Sequence, residues 1–228
     1  MIGIIGAMQV EVAKIREEMT DTQTQIISGM EFTRGKLFDK DIVVAVCGIG
    51  KVFAAMCTQT MIISYKPDII INSGVAGTLT FSLSIGDIAI ADRLVQHDMD
   101  TSAIGDPKGL ISGINVIYFE ADRDAAALIS QINSNMGIKS LIGTIASGDV
   151  FVNDRDRKRE IVSEFGAIAC EMEGAAIAQV CYVNKTRFAV IRAISDDAGG
   201  EKHTQYDIFL NDTADKSIRI LKEFIKIF

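Results

Sequence analysis

The chain has 228 residues, a formal net charge of −7, and 48% hydrophobic against 23% charged residues. A chain of this length and composition can bury one sizeable core without disulfides or metals. Its acidic balance excludes a broad electrostatic footprint for nucleic acid, and no apolar run approaches the length of a membrane span.

The N-terminal stretch MIGIIGAMQVEVAK lacks a basic leader region, and Glu11 interrupts its apolar run. Cys47, Cys57, Cys170 and Cys181 form no CxxC or CxxH pair, and His97 and His203 are far apart. The expectation is a reduced cytoplasmic protein with no zinc site. No repeat, low-complexity tract or Pro/Ser-rich linker divides the chain, so residues 1–228 read as one domain.

In chain order, residues 1–7 read as a buried strand and 9–19 as a helix. Residues 25–28, 31–38 and 41–47 read as strands, the last two as a hairpin. Gly48-Ile-Gly50 opens a helix to Tyr65, and Pro67-Asp68 precedes a strand at 69–73. The Gly-rich Asn72-Ser-Gly-Val-Ala-Gly77 then reads as a flexible turn with free N–H groups. Strands are predicted at 87–92 and 114–119, a helix at 121–134 and a strand at 140–146. Helix 155–164, strand 166–170, helix 172–183 and strand 187–194 follow. The last helix, 206–226, carries Phe209, Ala214, Ile218, Leu221 and Ile225 near one face.

Strands alternating with helices give an α/β fold with a mostly parallel sheet covered on both sides. Ligands of such folds gather at the carboxyl ends of strands. Here those ends are followed by Met8, Gly48, Asn72, Ser147, Glu171 and Ser195. Gly3-Ile-Ile-Gly6 and Gly48-Ile-Gly50 are fragments of GxGxxG, and no GxxxxGK[ST] exists, so no dinucleotide or ATP site is expected. The 72–77 segment has no Lys or Arg to hold a phosphate and suits a neutral ligand.

The acids near strand ends are ambiguous taken singly. Glu11 fits either a helix-start charge or a site. Glu171 and Glu173, two apart, point to different faces, so at most one enters a shared pocket. Asp196, beside Ser195, is either a turn former or a site acid. Arg192 inside an apolar strand needs a partner or a ligand. Phe151 and Tyr206 are either core or platforms for a flat ring. The basic run Arg155–Arg159, interleaved with acids, reads as a solvated helix face.

Taken together, IGIIGAMQVEV (2–12), CGIGKV (47–52), KPDIIINSGVAG (66–77), IGDIAIAD (85–92), ASGDVFV (146–152), CEMEGAAIAQVC (170–181), VIRAISDDA (190–198) and YDIF (206–209) resemble the 5′-methylthioadenosine/S-adenosylhomocysteine nucleosidases of the nucleoside phosphorylase superfamily. The resemblance implies a three-layer sandwich, a central twisted mixed β-sheet flanked by helices, usually as a homodimer. It implies hydrolysis of the N-glycosidic bond to adenine and a thioribose, a small-molecule nucleoside partner, and no metal or organic cofactor.

By motif, Glu11 resembles the carboxylate that activates water and Asp196 the acid at adenine N7. Glu173, beside Met172, resembles the acceptor of the ribose hydroxyls. Phe151 matches the ring stacked on adenine, and the Val152 backbone the reader of the base edge. Met8, Ile49 and Tyr206 match the ribose and thioalkyl lining. Gly77, Arg192 and Ser195 complete the implied substrate-binding set. The 98–104 segment resembles a loop lent by the partner subunit, with Ile104 where an aromatic often sits. Val75 departs from the Ser or Thr common in the family, which predicts that water ordering falls on Glu11, Arg192 and backbone groups and that the rate is lower.

The chemistry accounts for these residue types. Breaking C1′–N9 leaves an anionic purine that protonation at N7 neutralises. A carboxylate left at N7 faces N7–H and N6–H, which favours adenine over a 6-oxopurine. An acid that must stay protonated at neutral pH is favoured by a dry apolar wall such as Ile191–Ile194. Glu173 is thus expected to be the ribose clamp and Glu171 a surface or structural group. The alternatives are a phosphorylase, which needs cations for phosphate, and a non-catalytic nucleoside sensor.

Overall fold

The structure, a computed structural model, describes residues 1–196 and 206–228, the side chains of 206–212 excepted. Among the described residues, ten strands form one mixed sheet in the order β10-β6-β8-β9-β5-β1-β4-β3-β2, with β7 (Phe119–Glu120) paired to β6. The others are β1 (Ile2–Gly6), β2 (Thr20–Ile27), β3 (Met30–Leu37), β4 (Lys40–Val46), β5 (Ile69–Thr78), β6 (Ile88–Gln96), β8 (Ser140–Ser147), β9 (Ala169–Glu171) and β10 (Arg187–Asp196). Because β10 pairs with both β6 and β5, the strands β5, β9, β8, β6 and β10 close on themselves. The strands β1, β4, β3 and β2 extend from that ring as an open sheet.

Helices α2 (Lys51–Tyr65) and α5 (Gly174–Asn184) cover one face through Ala54, Cys57, Met61, Ala175 and Ala178. Helices α1 (Ala13–Glu17), α3 (Arg123–Asn135) and α6 (Tyr206–Ile227) cover the other through Ile15, Ile129, Ile218, Leu221 and Phe224. Alternation along β4 sends Val43 and Ala45 to the first face and Ile42 and Val44 to the second. A strand buried on both sides must be apolar throughout, which is why these runs lack a period-two pattern. Helix α4 (Arg155–Phe165) packs separately, through Ile161 and Phe165, on Val95, Ala146 and Val152. Its start is fixed by Asp154, whose side chain accepts the Arg157 N–H at 2.9 Å.

Four expectations change. The 9–19 helix is a short 3₁₀ turn at Gln9–Glu11 followed by α1. The 25–28 strand begins at Thr20. Of the 114–119 strand only Phe119–Glu120 forms, antiparallel to β6. The 72–77 stretch is no turn: β5 runs through it to Thr78, because Gly74–Gly77 pair in parallel register with Arg192–Asp196. Among the described residues, no helix is long and apolar enough to cross a membrane.

Candidate active site

The ends of β1, β5, β8, β9 and β10 surround one cleft with a cavity of about 120 Å³. It is lined by Met8, Glu11, Ile49, Val75, Gly77, Phe151, Val152, Met172, Glu173, Ser195 and Asp196, with Ala7, Ala76, Val150, Cys170 and Glu171. Thus Glu11, Glu173 and Asp196, separated widely in sequence, face the same volume. Phe151 stands 52% exposed at its mouth while Val152 is buried.

Glu11 is held by the tight exit of β1. Its Oε2 accepts the N–H groups of Ala7 at 2.7 Å and Met8 at 2.9 Å, and its Oε1 that of Val75 at 3.3 Å. The residue that departs from the family pattern therefore serves Glu11 through its backbone. Burial pushes the Glu11 carboxyl up, against the opposing charge of Arg192 and these N–H bonds. Gly6 and Gly74 leave room for it: a Cβ on Gly6 would lie 3.2 Å from Oε2, and one on Gly74 2.8 Å from Oε1.

Glu171 and Glu173 divide the work at the start of α5. Glu171 turns to the floor, where it accepts the N–H groups of Glu173 at 3.0 Å and Gly174 at 2.8 Å and pairs with Arg192. The Ser147 hydroxyl donates to its other oxygen. Burial works against the Glu171 carboxylate, but Arg192, Ser147 and the N–H groups outweigh it and hold the group below the usual range. Glu171 is structural but not on the surface. Glu173 accepts the Gly50 N–H at 2.8 Å and otherwise faces the cleft. Burial and the neighbouring Glu171 charge push it up to about 7.

Asp196 ends β10 beyond a register irregularity between Ile194 and Asp196, which turns its carboxylate over Gly77. The Ser195 hydroxyl donates to the Ala76 carbonyl at 3.4 Å. The carboxylate does not meet only an apolar wall. Lys158 Nζ donates to Asp196 Oδ2 at 3.2 Å, and both side chains are buried. The Arg155–Arg159 run is therefore not wholly a solvated face. Lys158 shares the apolar side of α4 with Ile161 and Phe165, at i+3 and i+7, a spacing that marks it as inward-facing.

Arg192 does not line the cleft. It is buried below the floor, where it pairs with Glu171 and donates to Asn72 Oδ1, so it reaches the cleft only through its neighbours. Ile104 lies 81% exposed outside this chain's cleft. The Tyr206 side chain, like Asp197, lies outside the described residues. Among the described residues, no group of three or more His, Cys, Asp or Glu is placed to hold a metal ion.

The model of the Phosphorylase superfamily matches residues 1–226. The 5′-methylthioadenosine/S-adenosylhomocysteine nucleosidase of Shewanella loihica is 43% identical over 211 residues, 92% of this chain and 91% of its own. The chain belongs to the 5′-methylthioadenosine/S-adenosylhomocysteine nucleosidases of the phosphorylase superfamily. A crystal structure of the nucleosidase from Helicobacter pylori with butyl-thio-DADMe-Immucillin-A superposes with a TM-score of 0.95. It is 38% identical and covers 100% of this chain and 98% of its own. The futalosine hydrolase of Helicobacter pylori matches with a TM-score of 0.94 and 38% identity, covering 100% of this chain and 97% of its own. The mixed sheet flanked by helices is thus the fold of these nucleosidases.

Proposed function

We infer that the chain hydrolyses the N-glycosidic bond of 5′-methylthioadenosine and S-adenosylhomocysteine, with Asp196 as acid and Glu11 as base. The observation that carries this reading is the convergence of Glu11, Glu173 and Asp196 on one cleft beside the exposed ring of Phe151. Adenine stacks on Phe151 with N7 toward Asp196. The ribose hydroxyls donate to Glu173, and water sits between C1′ and Glu11.

As C1′–N9 lengthens, positive charge grows on the sugar and negative charge on the base. Asp196 neutralises the base by protonating N7, and the carboxylates of Glu11 and Glu173 favour the cationic sugar. Glu11 takes a proton from the attacking water. Burial raises its proton affinity, which makes it a stronger acceptor for that proton.

A homodimer fits this reading. Helix α2 exposes Val52, Phe53, Met56 and Ile63, a face a second copy would cover, and Ile104 would then be free to close the partner's cleft. A reduced cytoplasmic setting, a role in methionine salvage and single-domain folding over 1–228 belong to the same proposal.

Adenine release from 5′-methylthioadenosine, S-adenosylhomocysteine and aminofutalosine, each with and without phosphate, tests it. Free thioribose irrespective of phosphate is expected. A sugar 1-phosphate appearing only with phosphate would favour the phosphorylase, and no adenine at all the sensor. An Asp196→Asn variant at full rate would overturn the assignment of the acid.

A further inference from the structure

We propose that Lys158 supplies the proton that Asp196 hands to the base, the two side chains acting as one acid. This rests on the reading of Asp196 as the acid at N7. Lys158 is 4% exposed on the apolar side of α4, and its ammonium lies 3.2 Å from Asp196 Oδ2. A carboxylate in such an ion pair has no proton of its own to give. Moving one proton from Nζ to Oδ2 converts the charged pair into a neutral amine and a neutral acid. The same proton count therefore serves both the resting and the reactive form.

In the step itself, the Nζ–H bond breaks as Oδ2–H forms. The carboxyl O–H then breaks as N7–H forms, while the C1′–N9 electron pair stays on N9. Asp196 ends as a carboxylate and Lys158 as an amine. Glu11 holds the proton taken from water. Solvent restores Lys158 and accepts the Glu11 proton once the products leave.

Among the described residues, the groups around the pair leave this assignment standing. The nearby thiol of Cys170 on β9 is pushed up to about 12, chiefly by burial, and stays neutral. Glu171 is committed to Arg192. Glu11 and Glu173 share the cleft but stand on the ribose side in the proposed pose. Asp197 follows in sequence outside the described residues.

A purely structural ion pair makes a different prediction, which separates the two roles. Arginine keeps the charge but does not give up a proton at any working pH. The test is kcat and kcat/KM for 5′-methylthioadenosine across pH 5–9 in the wild type, Lys158→Arg and Lys158→Met, with circular dichroism to verify folding. Lys158→Arg is expected to fold, bind with KM within about threefold, and lose roughly 100-fold in kcat at every pH. Lys158→Met is expected to lose a similar factor at pH 8, the deficit shrinking toward pH 5 as protons from solvent become available in place of the one Lys158 supplies.

An arginine variant at more than half the wild-type kcat, or a methionine deficit that does not change with pH, overturns the proposal. Those outcomes, with Asp196→Asn inactive, leave Asp196 as the acid. An inactive wild type or a fully active Asp196→Asn instead sinks the acid assignment and this inference with it.

Discussion

Arg192 and Glu171 form an ion pair wholly beneath the cleft, each with its side chain 2% exposed. Arg192 also holds Asn72, whose amide donates to the Ile5 carbonyl at 2.9 Å, so one guanidinium ties β10 to β9, β5 and β1. Removing one partner strands a buried charge, which costs about 3–5 kcal/mol. Arg192→Met is therefore expected to lower the unfolding free energy in urea by that amount. Arg192→Met combined with Glu171→Met should lose less than Arg192→Met alone, because no lone charge remains. A double variant weaker than the single one would contradict the buried pair.

Glu11→Gln isolates the base. The amide oxygen can still accept from Ala7 and Met8, which now donate at 2.7 and 2.9 Å, so the turn should hold. The neutral side chain cannot take a proton from water. The expected loss in kcat is about 10²- to 10⁴-fold, with KM within about threefold. Steady-state adenine release reads both quantities, and a loss confined to KM would reassign Glu11 to binding.

The sequence disclosed the sheet-and-helix order and the acids at strand ends because buried strands are apolar runs and polar residues interrupt them. Two things were hidden by the same local view. Gly74–Gly77 looked like a turn because glycine weakens strands. Their pairing with Arg192–Asp196 is a long-range property, and small residues are required there because Glu11 and Asp196 lie against them. Lys158 vanished into a charged run, although its spacing to Ile161 and Phe165 was readable. That Asp196 faces an ammonium depends on how α4 docks on the closed ring of strands, which no local pattern encodes.

Gly77→Ala probes the placement of the acid. A Cβ there would stand 2.7 Å from Asp196 Oδ2 and 2.9 Å from Oδ1, and Gly77 has no positive φ that would add backbone strain. The carboxylate must give way. A displacement near 1 Å costs on the order of 100-fold in rate. We expect kcat to fall by about 10- to 100-fold while the melting temperature changes little. Unchanged kcat would mean that the carboxylate need not stand over Gly77 to act.

Glu173 makes stability depend on pH in a stated direction. Its proton affinity is raised to about 7 from an ordinary 4.5, chiefly by burial and next by Glu171. Below the lower value both folded and unfolded chains hold the proton, and the contribution to stability is complete. As pH rises through this window the unfolded chain releases its proton while the folded chain keeps it, so stability falls. Above about 7 the folded chain also ionises and the loss is complete, amounting to about 3 kcal/mol at most. Glu11 is shifted in the same direction and Glu171 in the opposite one, but both persist in Glu173→Gln and largely cancel in the comparison. Urea denaturation at pH 5 through 8 should therefore show the wild type losing about 2–3 kcal/mol relative to Glu173→Gln. Parallel curves would mean that the buried carboxylate ionises in the folded chain as readily as in the unfolded one.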